Sequence, residues 1–156
     1  MKKFWNLGSK LFGLLILICL PLPGLIYNNP ISGTYKSFSM FRMIFGYKDY
    51  NVKFNIIILL VFIIIILTGF IDLILKDKIK ANLIKMFVYV FDIIIFIFCK
   101  GYFMLINKDY LYKGIEDANK SGYALLIGAV ILLASAYFSY MNFIYEYEDS
   151  KNNKKN

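Results

Sequence analysis

The sequence predicts an all-α, polytopic integral membrane protein in which four transmembrane helices form a bundle with a kinked first span. Two observations lead to this fold class. Of the 156 residues, 60% are hydrophobic and 18% are charged, whereas soluble domains have roughly 45–50% apolar and about 25% charged residues. A soluble globule of this size could not bury so much apolar surface. The apolar residues also fall into four runs, each close to the roughly 20 residues that cross a bilayer as a helix.

The four apolar runs predict the spans and divide the rest of the chain into loops. The spans lie at residues 11–27, 54–75, 83–106 and 122–145. They leave a long first outer loop at 28–53 and a polar cytoplasmic tail at 146–156. The first run is interrupted by Pro21-Leu22-Pro23-Gly24, and two prolines with a glycine end or bend a helix. The alternative to a kink is a helix that ends near Leu20 and is followed by an extended or re-entrant stretch. Residues 1–156 are therefore predicted to form a single transmembrane domain.

Lysines near the span ends predict the orientation. The densest cluster, Lys76, Lys78, Lys80 and Lys85, lies in and beside the short turn between spans two and three. Because cytoplasmic loops carry an excess of Lys and Arg, this turn and both termini are expected in the cytoplasm. Residues with AT-rich codons dominate the composition, which favours a low-GC bacterium and its cytoplasmic membrane over a protist. The net charge of +8 lies at span ends, so we expect anionic lipid headgroups rather than nucleic acid beside it.

Asp92 is the most informative single residue. It lies nine residues into the third span, ~13 Å deep at 1.5 Å per residue, where an ionisable group costs ~2.5–3.5 kcal/mol on insertion. It must therefore face protein or water. At a matching depth the other spans offer Pro21, Thr68 and Ser135. These four residues predict either a proton or cation site or, alternatively, a protonated carboxyl that holds the helices together by hydrogen bonds.

The first outer loop contains an amphipathic segment. Tyr35, Phe38, Phe41 and Phe45 form one stripe at helical spacing within residues 34–45, and Arg42 lies among them. This pattern predicts an interfacial helix on the outer leaflet, with a short strand as the alternative. We expect these five residues to contact a partner or lipid, or to cap the helices.

A seam of small and polar residues runs along the fourth span. Ala124, Gly128, Ser135 and Asn142 recur at spacings that place them on one stripe. Small residues let helix backbones approach closely within lipid. The seam predicts packing within the bundle or a docking face for another membrane protein or a second copy.

The residues that most enzymes need are missing. The chain has no histidine, the commonest general base and metal ligand. No nucleophile–base pair or metal-binding constellation is visible, so we expect no catalytic residue, metal or cofactor. We predict a small non-catalytic accessory or binding protein that engages a larger membrane partner or a membrane-active peptide, as an immunity-type protein or a small subunit of a transport or secretion complex. Its expected partners are the lipid bilayer and a membrane protein or a second copy. The alternative is a small ion- or proton-coupled transporter or channel that uses Asp92.

Overall fold

The computed structural model describes residues 2–28, 35–107 and 119–153. This part of the chain is mostly helical and includes one small sheet. The helices are α1 (Lys2–Leu15), α2 (Met40–Phe45), α3 (Ile56–Gly69), α4 (Ile71–Ile74), α5 (Lys78–Ile97), α6 (Cys99–Ile106) and α7 (Tyr123–Asn153). The strands are β1 (Pro23–Asn28), β2 (Tyr35–Ser39) and β3 (Asn119–Ser121), and short 3-10 turns lie at Ile16–Cys19 and Lys48–Tyr50.

Four helices lie side by side and alternate in direction. The main contacts join α1 to α3 and α7, and join α5 to the same two helices. The sheet lies where α1 leads into β1 and where α7 begins, and we call this the sheet end. The opposite end, called the far end, is marked by ion pairs that connect Lys10, Asp72 and Lys85.

The sheet has the strand order β2-β1-β3, and both pairings are antiparallel. β1 is the central strand, so it joins the segment after α1 to the residues just before α7. The amide of Gly122 donates to the Gly24 carbonyl oxygen at 3.0 Å. The Pro23 carbonyl oxygen occupies the place where any side chain at position 122 would begin. Glycine is therefore required for this close approach of two backbones.

One helix, Tyr123–Asn152, is long and apolar enough to cross a membrane, judged by length and composition alone. Helices α5 and α6 pass the same test only as a pair, which is bent by 46°. Two other apolar helices, Lys10–Cys19 and Ile56–Gly69, are shorter. The prediction of a bundle of four transmembrane helices is therefore not supported for the described residues, whereas the predominance of helix is confirmed.

The first predicted span changes structure halfway along its length. Helix α1 ends at Leu15, a 3-10 turn follows, and β1 begins at Pro23. Pro21 and Pro23 have no amide hydrogen and cannot continue the helical hydrogen bonding. The kinked helix predicted at residues 11–27 is wrong for its second half, where the alternative of an extended stretch is correct and forms strand β1, so the fold is not all-α.

The sequence predicts an interfacial helix at residues 34–45 or, alternatively, a short strand, and the structure has the strand first and the helix after it. Tyr35–Ser39 pairs with β1 as a strand, and only Met40–Phe45 is helical. The change occurs at Ser39, whose hydroxyl accepts a hydrogen bond from the Arg42 amide at 3.3 Å and caps α2. Position 34 lies outside the described residues.

Towards the sheet end most buried side chains are apolar, apart from the hydrogen-bonded Asn55 and Asn107, whereas more of the buried side chains towards the far end are polar. Phe38, Phe96 and Phe103 fill the apolar half, with the rings of Phe38 and Phe103 5.7 Å apart. The polar half holds buried side chains from three helices, namely Thr68, Asn82, Lys85, Asp92, Ser135, Ser139 and Asn142. Polar groups removed from water are costly unless they are paired, so this half is where a site is to be sought.

The outward faces of the long helices are apolar and exposed. Rows of large aliphatic and aromatic side chains follow α3, α5 and α7. They include Leu60, Ile63, Ile64 and Leu67 on α3, Phe87, Val90, Phe91 and Ile94 on α5, and Leu126, Val130, Leu133 and Tyr137 on α7. Such continuous apolar surface is unusual on a soluble monomer.

Candidate functional site

A charge cluster closes the far end of the helices. One carboxylate oxygen of Asp72 lies 2.8 Å from Lys10 Nζ, and the other lies 2.7 Å from Lys85 Nζ. The Lys85 side chain is 0% exposed, and that of Asp72 is 15% exposed. One carboxylate thus ties α4 to α1 and α5, and the cluster carries an excess of one positive charge.

Tyr89 lies one turn beyond Lys85, on the same face of α5. Its ring is fully buried, and its hydroxyl occupies space that two glycines leave open. A Cβ atom added to Gly13 would lie 2.5 Å from the phenol oxygen, and one added to Gly69 would lie 3.2 Å from it. Glycines on α1 and α3 therefore let the phenol reach between these helices.

Asp92 follows on the same face and is 1% exposed. Its Oδ2 atom has no hydrogen-bond partner among the described residues, and the same is true of the side-chain nitrogen of Asn142. An unpaired carboxylate in such a place is very costly, so we expect this carboxyl to carry a proton. Asp92 is expected to face protein or water, and its burial shows that it is surrounded by protein.

Thr68 and Ser135, two of the residues predicted to form a site with Asp92, direct their hydroxyl hydrogens to their own helices. The hydroxyls of Thr68 and Ser135 are buried but donate to the carbonyls of Ile64 and Ile131 on their own helices, at 2.8 and 2.9 Å. Their donor hydrogens are therefore already used within α3 and α7.

Pro21 does not join them, because it is exposed and lies at the sheet end. The neighbouring Pro23 contacts Gly122, whereas Gly128 packs on Phe96, four residues from Asp92. Counted along the antiparallel helices, Asp92 lies roughly ten residues, or ~15 Å, from the level of Gly122. The expected proximity of Pro21 to Asp92 is therefore wrong.

Pro21 instead lines a cleft at the sheet end. The cleft has a volume of about 540 Å³ and is lined by Leu20, Pro21, Pro23, Ser37, Ser39, Phe41 and Arg42. Arg42, the only arginine of the chain, places its guanidinium carbon 4.4 Å from the centre of the Tyr47 ring. This stacking holds the cation at the edge of the cleft.

The predicted contact residues of the first loop divide into buried and exposed. Phe38 is buried, whereas the rings of Phe41 and Phe45 are exposed and 4.6 Å apart. Phe54, also exposed, lies 6.4 Å from Phe45. We call Phe41, Phe45 and Phe54 the aromatic cluster. Tyr35 belongs to β2, but its side chain lies outside the described part of the structure.

The seam predicted on α7 faces the interior of the chain. Ala124, Gly128, Ser135 and Asn142 are all buried. The Phe96 ring lies against Gly128 so closely that it occupies the position of a Cβ atom. This surface is therefore already covered by α5 and other parts of the same chain.

The charge cluster was not predicted from the sequence. Asp72 precedes Lys76 by four residues, which suggests an ion pair along one helix, but α4 ends at Ile74. The sequence feature that could have indicated the cluster is depth in the membrane. Lys10, Asp72 and Lys85 lie at similar distances from the ends of three apolar runs. Among the described residues no group of three Cys, Asp or Glu could hold a metal ion.

Comparison with known proteins adds no relative. No protein-family model matches the chain, and no curated protein is significantly similar to it in sequence.

Proposed function

We propose that this chain is a small non-catalytic membrane protein that crosses the bilayer four times and binds a larger membrane protein at its sheet end. The exposed apolar rows on α3, α5 and α7 support the membrane location. Only 39% of the most apolar stretch of α7 is buried, and the interior helix of a soluble protein would be mostly buried. Lipid is the solvent that would make these surfaces favourable.

The shorter helices are compatible with four crossings when each is joined to its neighbour. Ile56–Gly69 continues into α4, and at ~1.5 Å per residue the two together cover close to the ~30 Å of a hydrocarbon core. The segment from Lys2 to Cys19 combines α1 with a 3-10 turn and has a similar length, but its first two turns extend past Lys10 and the charge cluster. The alternating directions, with the lysine-rich turn at the far end, support a cytoplasmic far end and termini.

The aromatic cluster is the observation that carries the binding function. Three exposed rings, Phe41, Phe45 and Phe54, stand together beside the cleft at the sheet end. Clustered exposed aromatic side chains are typical anchors of protein interfaces. The proposed partner is a membrane protein that buries this cluster, as expected for an accessory subunit or an immunity-type protein.

A photocrosslinking phenylalanine analogue at position 45 tests this function in native membranes. We expect a discrete adduct that is heavier than the chain by the mass of one different protein, because Phe45 would lie in the interface. The control places the same analogue at Tyr147, an exposed aromatic residue on α7 near the far end. The absence of a protein adduct at position 45, or the same adduct from position 147, would contradict the proposal.

A second candidate function is a proton-coupled transporter or channel, and the unpartnered Oδ2 atom of Asp92 favours it. A buried carboxyl with one oxygen that has no hydrogen-bond partner can exchange a proton there with little loss of structure. If it does so, Asp92→Asn should reduce proton entry into vesicles containing the purified protein to the rate of protein-free vesicles. A trapped pH indicator measures this rate after an acid pulse. Equal rates for the wild type and Asp92→Asn would eliminate this candidate.

A further inference from the structure

We propose that the cleft at the sheet end binds the phosphate of a phospholipid headgroup, with Arg42 as the residue that recognises it. The inference rests on the proposed function in one respect, namely that the sheet end lies at a bilayer surface. It assigns a ligand to a second surface of the same end, next to the aromatic cluster.

The charge of the cleft favours an anion. Among the described residues that line it, none is acidic and Arg42 is the one cation. Within the described parts of the chain, Arg42 forms no ion pair, and its guanidinium lies over the Tyr47 ring. A planar guanidinium has five N–H donors in a fork that fits two phosphate oxygens. A cation–π contact with one ring does not occupy all five of these donors.

Two hydroxyls add donors beside this cation. Ser37 and Ser39 both line the cleft. The Ser39 oxygen accepts from the Arg42 amide, which leaves its own hydrogen free to donate. Ser39 thus orients the backbone of Arg42 while facing the same ligand. A guanidinium with hydroxyl donors is suited to a phosphate ester, whose oxygens only accept.

The apolar side of the cleft distinguishes a lipid from a free phosphate ion. Leu20, Pro21 and Phe41 line the cleft. The turn that leads into it exposes Leu17 and Ile18, whose side chains are 42% and 54% exposed. An apolar surface is therefore continuous with the polar cleft, as required for a molecule with acyl chains below a phosphate.

Native mass spectrometry of the purified protein, titrated with phosphatidylglycerol, tests the inference. Arg42→Gln should weaken the binding of the first lipid at least about tenfold, because it removes charge-assisted hydrogen bonds. Lys48→Gln is the matched control, since it removes one exposed positive charge at the same end outside the cleft. It should leave the affinity unchanged, and diacylglycerol, which has no phosphate, should not bind there.

Three results would overturn the inference. The first is an equal affinity of the wild type and Arg42→Gln for phosphatidylglycerol. The second is an equal loss of that affinity in Arg42→Gln and Lys48→Gln. The third is displacement of the lipid by inorganic phosphate at matched concentration. The last result would assign the cleft to a free anion. The unfolding temperature of Arg42→Gln verifies that the variant is folded. Crosslinking from Phe45 reports on the protein partner independently, so either proposal can fail without the other.

Discussion

Replacing Asp72 with alanine is expected to destabilise the protein by about 3–5 kcal/mol, the cost of leaving a buried charge without its partner. The Lys85 ammonium is fully buried and lies 2.7 Å from Asp72. Without the carboxylate, Lys85 would lie beside the second cation, Lys10, with no negative charge to separate them. The free energy of unfolding in mixed micelles, followed by circular dichroism during titration with a denaturing detergent, measures the loss.

The matched control and a double mutant distinguish charge burial from a general effect of losing an aspartate. Asp49→Ala removes an exposed carboxylate at the sheet end and should change stability by no more than about 0.5 kcal/mol. Adding Lys85→Met to Asp72→Ala should restore most of the lost stability, because an apolar side chain of similar length can fill the same space. A double mutant no more stable than Asp72→Ala alone would show that the cluster acts in another way.

The positions of most helices could be predicted from hydropathy, because apolar runs of about 20 residues leave few alternatives. The runs at 54–75, 83–106 and 122–145 all contain helices. The failure at 11–27 has a local and a non-local cause. Two prolines stop the helix, and the strand that follows depends on partners far away in the sequence, such as Asn119–Ser121. Within this strand, Leu25 and Tyr27 are buried and Ile26 between them is less buried. This alternation agrees with the two-residue period of a strand.

The position of each candidate site residue along its helix could be predicted, but the direction in which its side chain points could not. The depth of Asp92 along its helix follows from residue counting, and its burial agrees with the need to leave lipid. Depth does not define rotation about a helix axis, nor where a hydroxyl donates. Thr68 and Ser135 therefore lie at useful levels yet donate to their own backbones. For the charge cluster, the depth was the useful information. Predicting it would have required the inference that Lys10, Asp72 and Lys85, at similar depths on three segments, are in contact.

Gly122→Ala is the second substitution with a large expected effect, because its obstacle is backbone rather than a movable side chain. The added methyl would occupy the position of the Pro23 carbonyl oxygen and crowd the Gly24 backbone. β1 would have to move away from the start of α7, which would strain the hydrogen bond between Gly122 and Gly24 and the pairing with β3. Overpacking of this kind typically costs about 1–3 kcal/mol, which the same unfolding titration would measure.

Gly101→Ala is a control that should raise the stability of the protein, whereas Gly122→Ala should lower it. Gly101 lies within α6, and nothing comes within 4 Å of the place where its Cβ atom would be. The alanine should stabilise the protein by about 0.4–1 kcal/mol, because it reduces the freedom of the unfolded chain and favours helix. The sheet end is also where the proposed phosphate cleft lies, so Gly122→Ala should weaken lipid binding while Gly101→Ala leaves it intact. If Gly122→Ala changed stability and lipid binding no more than Gly101→Ala does, the close packing of β1 against α7 would not be what holds the cleft in place.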